Sequence, residues 1–306
     1  MYDIIGDIHG HANELKSLLG KLGYTENRGV YACPNRKVIF VGDYIDRGPA
    51  IRETLRIVRN MVESGNAIAL MGNHEYNALC YQYEDGKGGF LRSHTKDNTN
   101  QHIRTLDEFK NEGKEYEDYL NWFLTLPLFY EEDNFRVVHA CWDHDQIAFL
   151  RSNLYNDRLS KELVYASAQR GTDFYHAIED TLKGKEIKLP NGKKLPDKGG
   201  KLRNEVRIRW WEDPTQHTYR SIAFPHNPLL PDEPIDISSL KSTNHYAAND
   251  KKVFFGHYWY TGEPARIRDN IYCLDYSVAE GGKLVAGRLG WEDKVENVCF
   301  EFCIFE

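Results

Sequence analysis

YDIIGDIHGHANELKSLLGKL, Tyr2 to Leu22, opens the chain with a strand, a polar knot and a helix in that order. Tyr2–Ile5 is a short apolar run, too short for a helix and suited to a buried strand. Ala12–Leu22 then sets Leu15, Leu18, Leu19 and Leu22 on one face at helical spacing. Between them stand Asp7 and His9, one residue apart, with Gly6 and Gly10 on either side. A solvated turn would account for one such pair. It would not account for the four similar placements further along.

The same grammar continues. Lys37–Val41 (KVIFV) and Ala67–Met71 (AIALM) read as further buried strands, with a helical pattern over Ile51–Val62 between them. Strand, helix, strand, helix, strand is the signature of βαβ units. Phe135–Val138 (FRVV) and Lys252–Phe255 (KVFF) are strands of the same kind, while Asn270–Leu274, Lys283–Leu289 and Val295–Phe305 read as consecutive strands. The second half is therefore expected to add antiparallel strands to a mixed sheet or to a second sheet. Tyr81–Leu126 is polar and helix-prone and reads as helical decoration. With no linker, repeat or low-complexity tract, the expectation is one domain, residues 1–306, with insertions at about 81–126 and 151–246.

Bulk properties narrow the function. A chain of 306 residues that is 41% hydrophobic can bury a sizeable core. Its 39 basic and 46 acidic residues give a net charge of -7, which argues against general attraction to nucleic acid or to an acidic membrane surface. No apolar run approaches the roughly 20 residues that span a bilayer. The N-terminus lacks the basic and apolar regions of a signal peptide, so a cytoplasmic protein is expected. Cys33, Cys80, Cys141, Cys273, Cys299 and Cys303 form no Cys-x-x-Cys pair, and buried free thiols are expected.

Five of the expected strands end in chemistry. Tyr2–Ile5 leads to Asp7 and His9, Lys37–Val41 to Asp43 and Asp46, Ala67–Met71 to Asn73 and His74, Phe135–Val138 to His139, and Lys252–Phe255 to His257. In α/β sheets, sites form beyond the carboxyl ends of the strands, so these residues are projected onto one rim. Asp7, His9, Asp43, Asn73, His139 and His257 are oxygen and imidazole donors without a thiolate. They suit a pair of divalent cations sharing one carboxylate, with Mn, Fe, Zn or Co favoured over a structural thiolate-zinc site.

GDIHG (Gly6–Gly10), GDYIDRG (Gly42–Gly48), GNHE (Gly72–Glu75), a strand-terminal His139-Ala140 and a strand-terminal Gly256-His257, in this order, resemble the calcineurin-like metallophosphoesterase superfamily. The phosphoprotein-phosphatase-type branch is the most similar. The resemblance implies two mixed β-sheets packed as a sandwich flanked by helices, an α/β fold with helical and lid-like insertions. It implies Asp7, His9 and a bridging Asp43 on one metal, and Asp43, Asn73, His139 and His257 on the other. Mn²⁺ is the expected metal, with Fe, Zn, Co or Ni acceptable. His74 would be the acid beside the leaving group, Asp46 its orienting partner, and Arg47 the phosphate-binding residue. Two such metals would supply a bridging hydroxide near neutral pH and clamp the phosphoryl oxygens for in-line attack.

Finer features lean further. His139-Ala140 and the tail IYCLDYSVAEGGKLVAGRLGWEDK, Ile271 to Lys294, resemble bacterial symmetrical bis(5'-nucleosyl)-tetraphosphatase-like proteins. That implies a phosphorylated small-molecule or nucleotide substrate, and hydrolysis of a dinucleoside polyphosphate. A serine/threonine-type protein phosphatase, a general phosphomonoesterase and a non-catalytic scaffold of the same fold remain alternatives. Cys141 in place of the family's glycine, Tyr258 before Trp259 and the turn Tyr276–Glu280 depart from the pattern.

Lys183–Arg209 carries seven lysines and three arginines against three acidic residues, and Asn191-Gly192 marks a turn within it. A lid over a polyphosphate and a solvated hairpin both fit. Arg207 and Arg209, with Arg203 beside them, alternate near Trp210-Trp211 as residues of a strand would and are candidates for a second phosphate-binding arginine, and Tyr276 is a candidate substrate contact. Trp210-Trp211 reads as packing or as a platform for a base. His11, His94, His102, His144, His176, His217, His226 and His245 lack strand-end placement and are read as structural or exposed.

Overall fold

The computed structural model describes residues 1–196, 200, 202–240, 242–290 and 298–304. Its frame consists of ten strands: β1 (Tyr2–Ile5), β2 (Lys37–Phe40), β3 (Ala67–Ala69), β4 (Phe129–Glu131), β5 (Phe135–Val138), β6 (Lys252–Phe255), β7 (Ile271–Cys273), β8 (Asp275–Tyr276), β9 (Lys283–Leu289) and β10 (Val298–Ile304). They form two mixed sheets. The first runs β8-β9-β1-β2-β3, with β10 also paired to β9. Within it β1, β2 and β3 are parallel, while β9 is antiparallel to β1, aligning Ile4 with Gly287. The second runs β7-β6-β5-β4, with β5, β6 and β7 parallel and β4 antiparallel at the edge. The antiparallel additions thus go to the first sheet, and the strand expected at Asn270–Leu274 joins the second as a parallel member.

The alternation of strand side chains explains the layering. Ile4, Ile39 and Val41 from the first sheet meet Phe135, Val137 and Phe254 from the second in one buried cluster between the sheets. Their neighbours in sequence, Ile5, Val38, Phe40, Val138, Val253 and Phe255, point the other way and pack into the larger helix-covered core. That core takes the apolar faces of α1 (Ala12–Lys21) and α2 (Ile51–Glu63), which bury Leu15, Leu18 and Leu19, and Leu55, Ile57 and Val58. It also takes α3 (Asn73–Gln82), α4 (Lys96–Glu108) and α5 (Gly113–Phe123), then α6 (His144–Asn153), α7 (Lys161–Ser167) and α8 (Asp173–Lys183). Tyr81–Leu126 holds the end of α3 and the whole of α4 and α5, the helices its composition suggests, with irregular chain over 83–95.

The segment after α8 forms a smaller cluster of its own around Ile187, Ile208, Tyr219 and Ile222. Glu186–Lys188 pairs with Glu205–Arg207 there, so the basic stretch is a β-hairpin whose residues 197–199 and 201 lie outside the described residues. Trp210 and Trp211 are buried against Phe255, which settles them as packing groups. Of the six free thiols, Cys80, Cys141, Cys273 and Cys303 are buried, but Cys299 is exposed on β10. Of the last expected strand, Val295–Phe305, the part Val298–Ile304 is β10; Val295–Asn297 and Phe305, with Trp291–Lys294 of the quoted tail, lie outside the described residues. Among the described residues, no helix is long and apolar enough to cross a membrane.

Candidate metal centre and active site

The parallel strands of both sheets point their carboxyl ends at the same rim. Beyond β1 stand Asp7 and His9; beyond β2, Asp43 and Asp46; beyond β3, at the start of α3, Asn73 and His74; beyond β5, His139; beyond β6, His257. Asp7, His9, Asp43, Asp46, Asn73, His74 and His139 are all buried, although the chain is looping there.

The turns are tight enough to need special backbone. His9 (φ 47), Asp43 (φ 56), Asp46 (φ 69), Arg47 (φ 64) and His257 (φ 61) all lie in the left-handed region, five of the eleven described non-glycine residues that do. Such conformations persist only where surrounding structure imposes them. Gly256 shows how close the packing is, since a Cβ there would overlap Asp7 Oδ1.

Asp43 is the hinge of the arrangement. Its Oδ2 faces His9 Nε2 at 3.5 Å and His74 Nε2 at 3.9 Å, and its Oδ1 faces His139 Nε2 at 3.4 Å. Two groups of potential ligand atoms result: His9, Asp43 and His74 on one side, and Asp43, His139 and His257 on the other. Within each, the atoms lie within 4.8 Å of one another. Asn73 joins the second group, its Oδ1 3.0 Å from His139 Nε2.

The donors fit divalent cations on several counts. His9 Nδ1 donates to Ile45 O and His139 Nδ1 to Val41 O, both at 2.9 Å, which turns each Nε2 inward as a ligand atom. Asp7 Oδ1 and His257 Nε2 are buried without a hydrogen-bond partner, an expensive condition unless something binds them. Asp7 Oδ2 accepts from His257 N at 3.0 Å, which aims its other oxygen. Electrostatics agree. Burial, with Asp275 nearby, pushes the Asp7 carboxyl well above its usual range. Burial alone would lower His139, yet Asp43 and Asp7 raise it to about 10. These carboxylates call for positive charge at their centre. Burial and the neighbouring His74 lower His9 to about 3, keeping it a neutral donor.

His74 is anchored differently. Its Nδ1 stands 2.5 Å from Asp46 Oδ2, leaving Nε2 directed at the cluster. Burial opposes its charge, but Asp43 and Asp46 outweigh burial and raise its pKa, which favours a proton-carrying imidazole. Asp46 is held well below the usual carboxylate range despite burial by hydrogen bonds from His102 and His74. Arg47 sits at the rim, half exposed, with Nη1 4.0 Å from Glu280 Oε1; its charge reaches both His9 and His74.

Two expected substrate contacts lie elsewhere. Arg209 gives its guanidinium to Ser221 O and stands 4.0 Å from Glu212, because the strand it was expected to extend has ended at Arg207. The Tyr276 hydroxyl accepts from Ala265 N at 2.9 Å, and the ring lines a separate recess with Thr261, Gly262 and Lys283. Arg207 does reach the centre: Nη1 donates to His257 O at 3.4 Å and the guanidinium lies 5.3 Å from the Tyr258 ring.

Three residues of the site escaped the sequence reading. His102 is not a bystander; its Nδ1 lies 2.7 Å from Asp46 Oδ1 and its Nε2 2.6 Å from the Tyr116 hydroxyl. Thr105 Oγ1 donates to the same Asp46 oxygen at 2.5 Å. The three-residue spacing of His102 and Thr105 puts both on one helix face, but says nothing of what that face meets. Glu75 is fully buried and accepts the backbone N–H groups of Asp43, Tyr44 and Gly72 at 2.8 to 3.0 Å, tying the loop after β2 to the start of α3.

Comparison with known proteins places this geometry. The calcineurin-like phosphoesterase family model matches residues 2–258, and the chain belongs to that family. Among similar proteins, the asymmetrical bis(5'-nucleosyl)-tetraphosphatase PrpE of Halalkalibacterium halodurans is 35% identical over 149 residues, covering 48% of this chain and 59% of that protein. The chain spans only 54% to 59% of the three PrpE proteins from Halalkalibacterium, Oceanobacillus and Geobacillus that it matches. The symmetrical bis(5'-nucleosyl)-tetraphosphatase of Methylobacillus flagellatus is 26% identical over 93% of this chain and 90% of its own length. A Saccharomyces cerevisiae serine/threonine phosphatase similar to human PP5 shares the fold, with a TM-score of 0.52 and 15% identity over the whole chain and 80% of its own.

Proposed function

We propose that the protein is a metal-dependent phosphoric-ester hydrolase acting on a dinucleoside polyphosphate. The observation that carries this reading is Asp43 standing between the inward-facing nitrogens of His9 and His74 on one side and of His139 and His257 on the other, with His74 anchored by Asp46. Asp7, His9 and Asp43 would hold one divalent cation; Asp43, Asn73, His139 and His257 would hold the other, Mn²⁺ being the choice to test first. When bound, such ions neutralise phosphoryl charge and activate water near neutral pH.

The chain's own residues do the rest. Arg47, at the rim, offers its planar fork to the phosphoryl oxygens on which charge develops. Asp46 holds the Nδ1 hydrogen of His74, so the proton on Nε2 is aimed at the leaving oxygen. Arg207 adds a second positive charge next to His257. The similarity to tetraphosphatases of both symmetrical and asymmetrical type supports a P–O–P bond as the target.

The test compares wild type with His74→Ala and Asp43→Asn in Mn²⁺ on diadenosine tetraphosphate, p-nitrophenyl phosphate and a phosphopeptide. Cleavage of the dinucleotide, to two ADP or to ATP plus AMP, lost in both variants, is the expected result. Turnover confined to the monoesters would move the protein to the general or protein phosphatases. No metal-dependent turnover of any substrate would overturn the hydrolase reading.

A further inference from the structure

The turn that carries Arg47 is gripped from two sides. One side rests on the loop after β1: Gly48 N donates to His9 O and Ala50 N to Gly10 O, both at 2.9 Å, and a Cβ at Gly48 would overlap His9 O. The other side meets α4. Before Arg47, Thr105 Oγ1 accepts from Asp46 N at 3.1 Å, and both His102 and Thr105 hold Asp46 Oδ1. After Arg47, Glu108 reaches the start of α2, where its Oε1 accepts from Ile51 N at 2.7 Å and its Oε2 from Arg52 N at 2.9 Å. His102, Thr105 and Glu108 follow one another at three-residue spacing, so one face of one helix takes both flanks of the turn.

The character of that face shows what α4 is for. A helix held by packing alone buries an apolar stripe. The buried side chains of α4 include His102 and Thr105, both polar and both directed at Asp46, and Glu108 is half-buried beside them. At the other flank, α2 starts from Ala50, which has no side-chain acceptor for the N–H groups of the first turn. The Glu108 carboxylate supplies that acceptor from another helix, at the positive end of the α2 dipole. It thereby fixes where α2 begins, just beyond Arg47. Arg47 does little to place itself: its guanidinium is half exposed, 4.0 Å from Glu280, and its backbone lies in the left-handed region at φ 64. Such a conformation is imposed by the neighbouring structure.

We propose that Glu108 is a positioning residue for Arg47, closing the second flank of the turn and so fixing the point from which the guanidinium reaches the substrate phosphoryl group; this rests on the phosphate-binding role proposed above for Arg47. Glu108 touches no reacting atom and acts through the backbone between Asp46 and Arg52. A simple helix cap would set only the stability of α2. A positioning residue sets phosphate affinity and turnover, and sets them through Arg47.

The experiment is a double-mutant cycle of Glu108→Ala and Arg47→Ala. It reads kcat/KM on diadenosine tetraphosphate and p-nitrophenyl phosphate in Mn²⁺, competitive inhibition by inorganic phosphate, bound metal and the thermal midpoint. Glu108→Ala should lower kcat/KM about tenfold or more, since small misplacements of a binding group are costly. The phosphate inhibition constant should rise with it, and bound metal should stay at the wild-type level. In the Arg47→Ala background the same change should alter kcat/KM by less than about twofold, because nothing is left to position. Glu108→Gln keeps one oxygen for the two N–H groups and should fall between; it takes the place of Glu108→Ala in the cycle if that variant does not fold. Losses that multiply in the double variant would make Glu108 a cap of α2 alone. So would a lowered thermal midpoint with kcat/KM and phosphate inhibition unchanged. Either overturns the inference while the hydrolase reading stands. Arg47→Ala at the wild-type rate would remove Arg47 from phosphate binding, and Glu108 with it. Wild type inactive on both substrates would overturn the hydrolase reading itself.

Discussion

His102 Nδ1 lies 2.7 Å from Asp46 Oδ1, on the carboxylate whose other oxygen holds His74. His74 is thus positioned through a chain that ends at Tyr116 on α5, in a stretch whose composition suggests only decoration. Losses of such supporting partners typically cost about 10- to 100-fold. His102→Ala should lower kcat by about that factor while metal content, measured by mass spectrometry, stays at the wild-type level. His102→Asn, which can still donate to Asp46, should recover part of the loss. Equal losses in metal content and kcat would show that His102 only supports the fold.

Gly256 has no room for a side chain, because its missing Cβ would occupy the place of Asp7 Oδ1. Gly256→Ala should displace Asp7 and reduce bound metal at least tenfold in equilibrium dialysis. Wild-type metal binding by this variant would show that Asp7 is not a ligand.

Chelation should cost stability as well as activity. Asp7 Oδ1 and His257 Nε2 lack protein partners, so removing bound cations exposes buried polar atoms to no compensation. A cation at 100 times its dissociation constant stabilises a fold by about 2.7 kcal/mol per site. Urea unfolding of chelator-treated protein should therefore shift to lower denaturant, and Mn²⁺ should restore it. Superimposable curves would count against a metal in this centre.

Glu131 gives a pH test away from the centre. Burial opposes its charge, but hydrogen bonds from Arg136, Lys251 and Arg151 bring its pKa down to about 2. Because the folded value lies below the unfolded one, the carboxylate stabilises the fold fully above about pH 5 and loses that effect as pH falls toward 2. Allowing for partial solvent screening, the contribution at neutral pH is about 2 kcal/mol. Glu131→Gln should trail wild type by that amount at pH 7 in urea unfolding, and the gap should narrow by pH 3. A gap that is constant with pH would assign the effect to packing.

Much of the architecture was legible because local signals and tertiary packing agree. Tyr2–Ile5, Phe135–Val138 and Lys252–Phe255 begin and end as their apolar runs suggest, and Lys283–Leu289 does too. The residues gathered at the rim were legible because each follows a strand. His102 and Thr105 were not, because a helix in an insertion gives no hint of which loop it will lean on. Arg209 misled for a related reason: alternation near Trp210 suggested a continuing strand, but the hairpin stops at Arg207 and the chain turns toward Ser221.

The left-handed backbone at the site has a consequence for inheritance. Asp43, Asp46, His9 and His257 belong to residue types that tolerate this region, whereas Arg47, at φ 64, does not. Holding a long side chain there costs on the order of 1–3 kcal/mol. As long as the substrate matters, that expense is maintained; in a lineage released from it, glycine or asparagine at position 47 becomes an improvement. On the roles proposed for these residues, erosion should therefore start at Arg47 while Asp7, His9, Asp43, Asn73, His139 and His257 are still intact. Position 47 is thus where a descendant that has abandoned catalysis would first declare itself.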